Sequence, residues 1–254
     1  MQHRYFLQLS FKGTSYHGWQ IQPNAQSVQM MVNKALSTLL KKEIETIGAG
    51  RTDTGVHASF YIAHFDSDES FHSQHLKDKF LHSMNSILPY DIAIADIYEV
   101  NPQAHARYSA IRRTYEYTIV TEKEPFVNEQ TWYTSQILDL QLMNQCAALL
   151  LNYNDFTSFS RLHSNSKTNL CKIHEAYWTA GPGKLVFKIT ADRFLRNMVR
   201  AIVGTMIEAG RGKIDSNYFK WIIENKNRKN AGASAPAKGL VLTNIEYPVD
   251  IKYL

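Results

Sequence analysis

The sequence predicts an α+β protein built from two units. Three observations predict this class: an alternating strand pattern near the start, amphipathic helical runs between further strands, and a second set of strands and helices after Pro102. Apolar residues make up 44% of the 254 residues. That fraction is sufficient to fill a well-packed core in one large domain or two ordinary ones.

The first half alternates strands with helices. Residues 4–11 carry apolar side chains at every second position, as a half-buried strand does. The run after Ser27 repeats apolar residues at helical spacing, and the Ser27 hydroxyl can cap its first turn. The other elements predicted here are a helix at 76–88, which Pro89 ends, and strands at 60–65 and 92–100.

The second half contains the same mixture without a residue-level repeat of the first. It is predicted to hold strands at 113–120, 173–178, 185–190 and 239–247, and helices at 138–151, 197–209 and 218–225. Asn101-Pro102 is the best boundary, because the residue before a proline is pushed out of helical geometry. We therefore assign 1–104 to an N-terminal half and 105–254 to a C-terminal half, packed rigidly together.

Composition restricts the partners and the compartment. A net charge of +5 and a pI near 9.0 favour an anionic partner, because clustered Lys and Arg attract phosphate. The chain enters a strand pattern without the apolar run of a signal peptide or membrane span, so we expect a cytoplasmic protein. Cys146 and Cys171 lie 25 residues apart with no second Cys at metal-site spacing beside either, and the ten histidines form no HExxH or HxH grouping. We expect buried thiols and no metal site.

One loop places three glycines around a single carboxylate, in GAGRTDTGVHA at 48–58. We call this segment the aspartate loop. Glycines relax the backbone and permit close approach of another chain, so the loop can expose Asp53 to a ligand while Arg51 points toward phosphate. The alternative is an ordinary turn in which Asp53 caps its own backbone and Arg51 is solvated.

The aspartate loop resembles the GRTDAGVHA signature of the TruA family of tRNA pseudouridine synthases, with Thr54 in place of Ala. Six further elements are similar to family patterns and occur in the family's order. They are YHGWQIQ at 16–22, HARYSA at 105–110, RTYEY at 113–117, DFTSF at 155–159, FLRNMVRAIVG at 194–204 and AGASAPAKGL at 231–240. Chance does not produce so many ordered agreements over nearly the whole chain, so it is identified as a member of this family.

The resemblance implies the pseudouridine synthase fold, in which two ferredoxin-like halves form a largely antiparallel mixed sheet flanked by helices, with the active-site cleft between them. It implies that Asp53 is the catalytic residue and that no cofactor is needed. Family members modify uridines at positions 38 to 40 of the anticodon stem-loop in several tRNAs, and they act as homodimers. Recognition of RNA shape is therefore expected to matter more than recognition of sequence.

Three further residues are candidates for contact with the reacting uridine. Arg200 lies in an apolar helical run where a guanidinium needs a carboxylate partner, and the resemblance supplies Asp53; an Arg extending from the helix edge to solvent is the alternative. Tyr115, by resemblance, stacks on the uracil and handles a proton, whereas Tyr117 is predicted to be core. Arg51 is a candidate for filling the space that a flipped uridine leaves, or for holding the backbone.

Four other arginines are candidates for RNA-backbone contact. Arg193 and Arg196 precede Arg200 at helical spacing, so a shared helical face can carry phosphate contacts outward from the site. Arg107 and Arg113 have the same two interpretations, phosphate contact or a solvated surface.

Other functions remain open from the residues alone. A noncatalytic structured-RNA-binding protein needs the basic surface but not Asp53 beside Arg200. A retaining glycosidase needs a second carboxylate as general acid, for which only Glu116 lies on a matched strand. A pseudouridine synthase with a different RNA target is the third alternative.

Overall fold

The computed structural model, which describes residues 2–161 and 168–251, divides into two units. The first unit runs to Ile111 and resumes at Leu242, and the second spans Arg112–Val241. These limits differ from the predicted halves at both ends. The C-terminal segment joins the first unit because the partners of a strand, and not its position along the chain, decide where it packs.

Strands and helices alternate along both units. The first unit contains β1 (His3–Phe11), α1 (Val28–Leu40), β2 (Ile47–Gly48), β3 (His57–Ser67), α2 (Gln74–Ile87) and β4 (Ile92–Val100). The second contains β5 (Arg112–Val120), β6 (Trp132–Tyr133), α3 (Leu140–Leu149), β7 (Ile173–Gly181), β8 (Lys184–Ala191), α4 (Met198–Gly210), α5 (Ser216–Asn225) and the start of β9 (Leu240–Glu246). All the predicted elements are present with small shifts at their ends, whereas the two-residue strands β2 and β6 were not predicted. Within the described ranges, no helix is long and apolar enough to cross a membrane.

The first unit has the strand order β4-β1-β3-β2, with antiparallel neighbours throughout, and β9 also pairs with β3. Together with the βαββαβ sequence of elements, this order is the ferredoxin-like arrangement that the resemblance implies. The side chain of Ser27 accepts a hydrogen bond from the Met30 N–H at 3.3 Å, which confirms the predicted cap of α1. Helix α1 packs against α2, and α2 packs on β4.

The second unit has the strand order β5-β8-β7, again antiparallel, with β6 lying parallel to β5. Helix α3 contacts β7, α4 and α5, and α4 is buried over most of its length. Both units thus combine mostly antiparallel strands with packed helices, which confirms the predicted α+β class.

The two cysteines are buried thiols, as predicted. Burial raises the pKa of both the Cys146 and the Cys171 thiol to about 12. Each therefore remains protonated near neutral pH and behaves as a small apolar side chain.

Candidate active site

The aspartate loop joins β2 to β3 in the first unit. Its backbone turns where the Val56 N–H donates to the Asp53 carbonyl at 3.1 Å. Thr52 is buried, whereas Asp53 is half-buried and Arg51 is exposed. The loop is therefore fixed through Thr52 and leaves the two residues on either side of it accessible to a ligand.

A buried tyrosine on β3 holds the start of the aspartate loop. The Tyr61 hydroxyl donates to the Gly50 carbonyl and accepts a hydrogen bond from the Gly50 N–H at 3.3 Å. The Tyr61 side chain is fully buried and packs on Trp19 with ring centroids 4.3 Å apart. One hydroxyl thus satisfies both backbone groups of the residue directly before Arg51.

The YHGW segment holds the middle of the aspartate loop. The Trp19 N–H donates to the Thr52 hydroxyl oxygen at 3.0 Å. Gly18 has a φ of +85°, and a Cβ at this position would clash with the Thr52 carbonyl oxygen. Only glycine fits both conditions. This contact gives a physical reason for the glycine in the early motif of the family pattern.

Tyr16 links Asp91 to the end of the aspartate loop through two hydrogen bonds, one at its hydroxyl and one at its backbone carbonyl. The Tyr16 hydroxyl donates to the Asp91 carboxylate at 2.6 Å, and the Gly55 N–H donates to the Tyr16 carbonyl at 3.3 Å. Burial, and then the bond to Asp91, raise the pKa of Tyr16, so its hydroxyl remains a proton donor. Sequence reasoning missed both Tyr61 and Asp91, because neither stands in a matched motif.

The HARYSA segment is anchored within the first unit. Nδ1 of His64 accepts the Ala106 N–H at 3.1 Å, and the Tyr247 hydroxyl donates to the Ala106 carbonyl. Arg4 donates to the Ala104 carbonyl at 3.0 Å. Burial, followed by the charges of Arg4 and His105, lowers the pKa of His64 to about 4, so neutral His64 supplies the acceptor.

The same segment presents a cation over an aromatic ring. Arg107 is exposed, Tyr108 is 77% exposed, and the Arg107 guanidinium carbon lies 5.7 Å from the Tyr108 ring centroid. The His105 ring also packs against Tyr108, with ring centroids 4.4 Å apart. A guanidinium and an exposed ring held together suit contact with phosphate and an unstacked base.

The two tyrosines of β5 have different surroundings. Tyr117 is fully buried, and its hydroxyl donates to the Pro236 carbonyl at 2.8 Å. Tyr115 is half-buried and meets Phe194 edge-on with centroids 5.2 Å apart. Tyr117 is therefore a core residue, and Tyr115 keeps part of its surface accessible.

Arg200 lies on α4 and is half-buried among buried helical neighbours. Its Nε donates to the Ala235 carbonyl at 2.8 Å, and the Ala235 N–H donates back to the Arg200 carbonyl at 2.9 Å. The late AGASAPA segment is thus fastened to this turn of the helix. These bonds orient the guanidinium from its Nε side.

Arg193 and Arg196 do not share a helical face with Arg200, which corrects that prediction. Helix α4 begins at Met198, after Asn197 adopts a left-handed conformation with φ of 64°. Asn197 interrupts the helical spacing, so Arg193 and Arg196 lie in the irregular segment that precedes the helix. Arg113 donates to the Asp192 carbonyl at 2.7 Å, which ties β5 to the start of this segment.

The predicted site residues divide between the two units. The first unit carries Arg51, Asp53 and Arg107, and the second carries Arg113, Tyr115, Arg193, Arg196 and Arg200. Within the first unit, the early YHGW motif and the aspartate loop are in direct contact. Within the second, the Arg200 turn and the late AGASAPA motif are in direct contact.

Comparisons with known proteins agree with these motifs. A protein family described as tRNA pseudouridine synthase matches residues 147–248. The tRNA pseudouridine synthase A of Bacteroides fragilis is 52% identical over 250 residues, covering 98% of this chain and 98% of that protein. The enzyme of the same name from Bacteroides thetaiotaomicron is 51% identical over 251 residues, covering 98% and 92%. That from Porphyromonas gingivalis is 48% identical over 252 residues, covering 98% of both.

Proposed function

This chain belongs to the tRNA pseudouridine synthase A family, and from that premise we propose that it modifies uridines of the anticodon stem-loop with Asp53 as its catalytic residue. It is an isomerase that converts uridine to pseudouridine in tRNA. The glycosidase alternative is thereby set aside.

The reaction exchanges one bond of the ribose for another. The bond from ribose C1′ to uracil N1 breaks, the base rotates, and a new bond forms between C1′ and uracil C5. The hydrogen on C5 is lost as a proton, and N1 gains one. Atoms and electrons balance without a donor or an oxidant, so the proposed mechanism uses no cofactor.

Asp53 starts this exchange as the nucleophile or as the base in glycosidic cleavage. The observation that carries the proposal is a half-buried carboxylate on a loop whose neighbouring residues are tied by Tyr61, Trp19 and Tyr16. A carboxylate held in this way needs little reorganisation when substrate arrives. A stacked uridine cannot reach it, so the target nucleotide must flip out of the stem at a cost of roughly a few kcal/mol.

Three side chains complete the proposed chemistry. Arg200 holds the Asp53 carboxylate with the planar fork of its guanidinium. Tyr115 stacks on the flipped uracil and handles a proton. Arg51, two residues before the aspartate and exposed, fills the space that the base has left or holds the RNA backbone. These roles rest on the family motifs and on the fractional burial of each residue.

The proposed substrate is the anticodon stem-loop, modified at positions 38, 39 and 40. Arg107, Arg113, Arg193 and Arg196 contact its phosphates, and the enzyme acts in the cytoplasm as a homodimer with each tRNA touching both subunits. A net charge of +5 is consistent with an anionic substrate such as tRNA. Light scattering of the purified protein tests the dimer directly.

The decisive experiment incubates purified protein with tRNA tritiated at uridine C5. We expect label release with no change in RNA length, and none from an otherwise identical tRNA with cytidine at positions 38 to 40. Asp53→Asn should keep tRNA affinity but lose activity, whereas Asp78→Asn, an exposed carboxylate on α2, should match the parent. Free uracil would indicate a hydrolase, and binding without release would indicate a noncatalytic protein. Asp53→Asn activity within about tenfold of the parent would contradict the catalytic role.

A further inference from the structure

Three potential metal ligands converge in the first unit at a place that the proposed chemistry does not use. His3, His72 and Glu99 each offer a ligand atom, and these atoms lie within 4.8 Å of one another. Nδ1 of His3 is 2.7 Å from one carboxylate oxygen of Glu99, and Nδ1 of His72 is 3.3 Å from the other. We call these residues the His-Glu cluster.

Strand register places two of the three ligands on one face of the sheet. Tyr5 on β1 is directly opposite Glu99 on β4, so their side chains share a face. His3 is two residues before Tyr5 and therefore lies on the same face. Both residues lie on strands of the sheet, and the His3 and Glu99 side chains are only 21% and 18% exposed.

The third ligand is positioned by a pinned segment before α2. The Tyr5 hydroxyl donates to the Glu69 carbonyl at 3.1 Å and accepts from the Phe71 N–H at 3.3 Å. Phe71 is buried against Tyr5, with ring centroids 5.1 Å apart. The residue after this anchor is His72, whose side chain is 65% exposed and already lies beside the other two ligands, with its ring 5.6 Å from the His3 ring.

We propose that the His-Glu cluster binds a divalent transition-metal ion, with Zn²⁺ as the preferred ion. Two imidazoles and one carboxylate form a ligand set that zinc takes in proteins, and the exposed side at His72 leaves its fourth position to water. With zinc–ligand bonds of about 2.0–2.2 Å, ligand atoms on a tetrahedral ion lie roughly 3.3–3.5 Å apart. The ligand atoms of the cluster are separated by 2.7 Å and 3.3 Å in the two ion pairs and by no more than 4.8 Å in any pair, a range that includes that separation.

Charge and proton balance favour the ion over the hydrogen bonds that link these side chains. One carboxylate and two neutral imidazoles carry a net charge of −1, which a divalent cation compensates. Each neutral imidazole binds the ion through one nitrogen and keeps its proton on the other, and added protons compete with the ion for the ligand nitrogens, so affinity falls in acid. Bound metal ties β1, β4 and the segment before α2 together, and it stabilises the first unit without entering the reaction.

The test is Zn²⁺ titration of untagged full-length protein by calorimetry after treatment with chelator, with Co²⁺ absorption as a second probe. We expect one Zn²⁺ per chain, a visible Co²⁺ band of a four- or five-coordinate site, and a higher melting temperature with Zn²⁺. His72→Gln and Glu99→Gln should weaken binding at least about tenfold. His82→Gln, an exposed histidine on α2, should bind as the parent does.

Each outcome decides the proposal. No Zn²⁺ binding by the parent, or equal binding by the parent and His72→Gln, overturns it. His72 is exposed, so its variant is expected to fold even if Glu99→Gln does not, and circular dichroism in chelator verifies this. Pseudouridine formation by metal-free protein should equal that of the zinc-loaded form, since the cluster stabilises and does not catalyse.

Discussion

Single hydroxyl groups, one on Tyr61 outside the aspartate loop and one on Thr52 within it, carry much of the anchoring of the loop. Tyr61 satisfies both backbone groups of Gly50, and the Thr52 hydroxyl accepts from the Trp19 backbone. A buried backbone group that loses its partner costs about 1–3 kcal/mol. These contacts therefore make the orientation of Asp53 depend on residues that do not touch the substrate.

Removing the Tyr61 hydroxyl tests this dependence. Tyr61→Phe should lower the free energy of unfolding by about 1–3 kcal/mol and reduce kcat with little change in KM, because the loop before Arg51 loosens. Tyr5→Phe is the matched control, since its hydroxyl also bridges two backbone groups but in the segment before α2. Equal loss of kcat in both variants would show that activity follows stability and not the position of the loop.

His64 makes the stability of the first unit depend on pH. Its pKa is about 4 in the folded protein against 6.5 ordinarily, so the unfolded chain binds more protons between these values. The stabilisation is complete above pH 6.5 and declines as the pH falls toward 4.

The corresponding prediction compares the parent with His64→Gln, which does not titrate. The difference in unfolding free energy between the two should shrink by about 1–2 kcal/mol from pH 7.5 to pH 5, measured by denaturant melts. A difference that stays constant over this pH range would contradict the neutral, buried His64.

At the scale of elements, several hydrogen bonds and one close backbone contact join α4 to the AGASAPA segment. Arg200 bonds to Ala235 in both directions, Asn197 donates to Ser234, and the Gly232 N–H donates to Thr205. A Cβ on Gly204 would clash with the Ala233 carbonyl oxygen, so the segment approaches the helix at this glycine. Close packing here keeps the Arg200 turn in a single position.

Two glycines in the same helix provide a direct test. Alanine favours a helix by about 1 kcal/mol over glycine, yet Gly204→Ala should lower stability by about 1–3 kcal/mol because backbone must shift. Gly210→Ala should cost less, since its Cβ meets the flexible side chain of Met143. Thermal and denaturant melts of both variants measure the difference. A Gly204→Ala protein as stable as Gly210→Ala would disprove the close approach.

For the whole molecule, charge and tRNA shape are expected to dominate recognition. The chain carries 28 Lys and Arg against 23 Asp and Glu, a modest excess that only a clustered arrangement turns into affinity. Arg107 and Arg196 are exposed within matched motifs and are the strongest candidates for such clustering. Their contribution should appear as counterion release on binding.

Salt dependence of tRNA affinity measures that contribution. The slope of log affinity against log salt should become shallower by about one unit for each phosphate-contacting arginine changed to alanine. We expect this for Arg107→Ala and Arg196→Ala. Lys42→Ala should leave the slope unchanged, because Lys42 pairs with Asp68 at 2.8 Å on the surface. An unchanged slope in the arginine variants would return those residues to a solvated role.

The sequence by itself determined the α+β class, the long strands and helices, the buried thiols and the family. These features depend on side-chain periodicity, on caps such as Ser27 and on contiguous motifs, all of which are local along the chain. Only the tertiary structure decided that the chain from Leu242 onward, which includes most of β9, belongs to the first unit, and that Asn197 interrupts the predicted shared arginine face. It also brought Tyr61 and Asp91 to the aspartate loop and gathered the His-Glu cluster from three separate segments. Such contacts arise where strand register and packing join distant residues, and no spacing rule applied to the sequence can detect them.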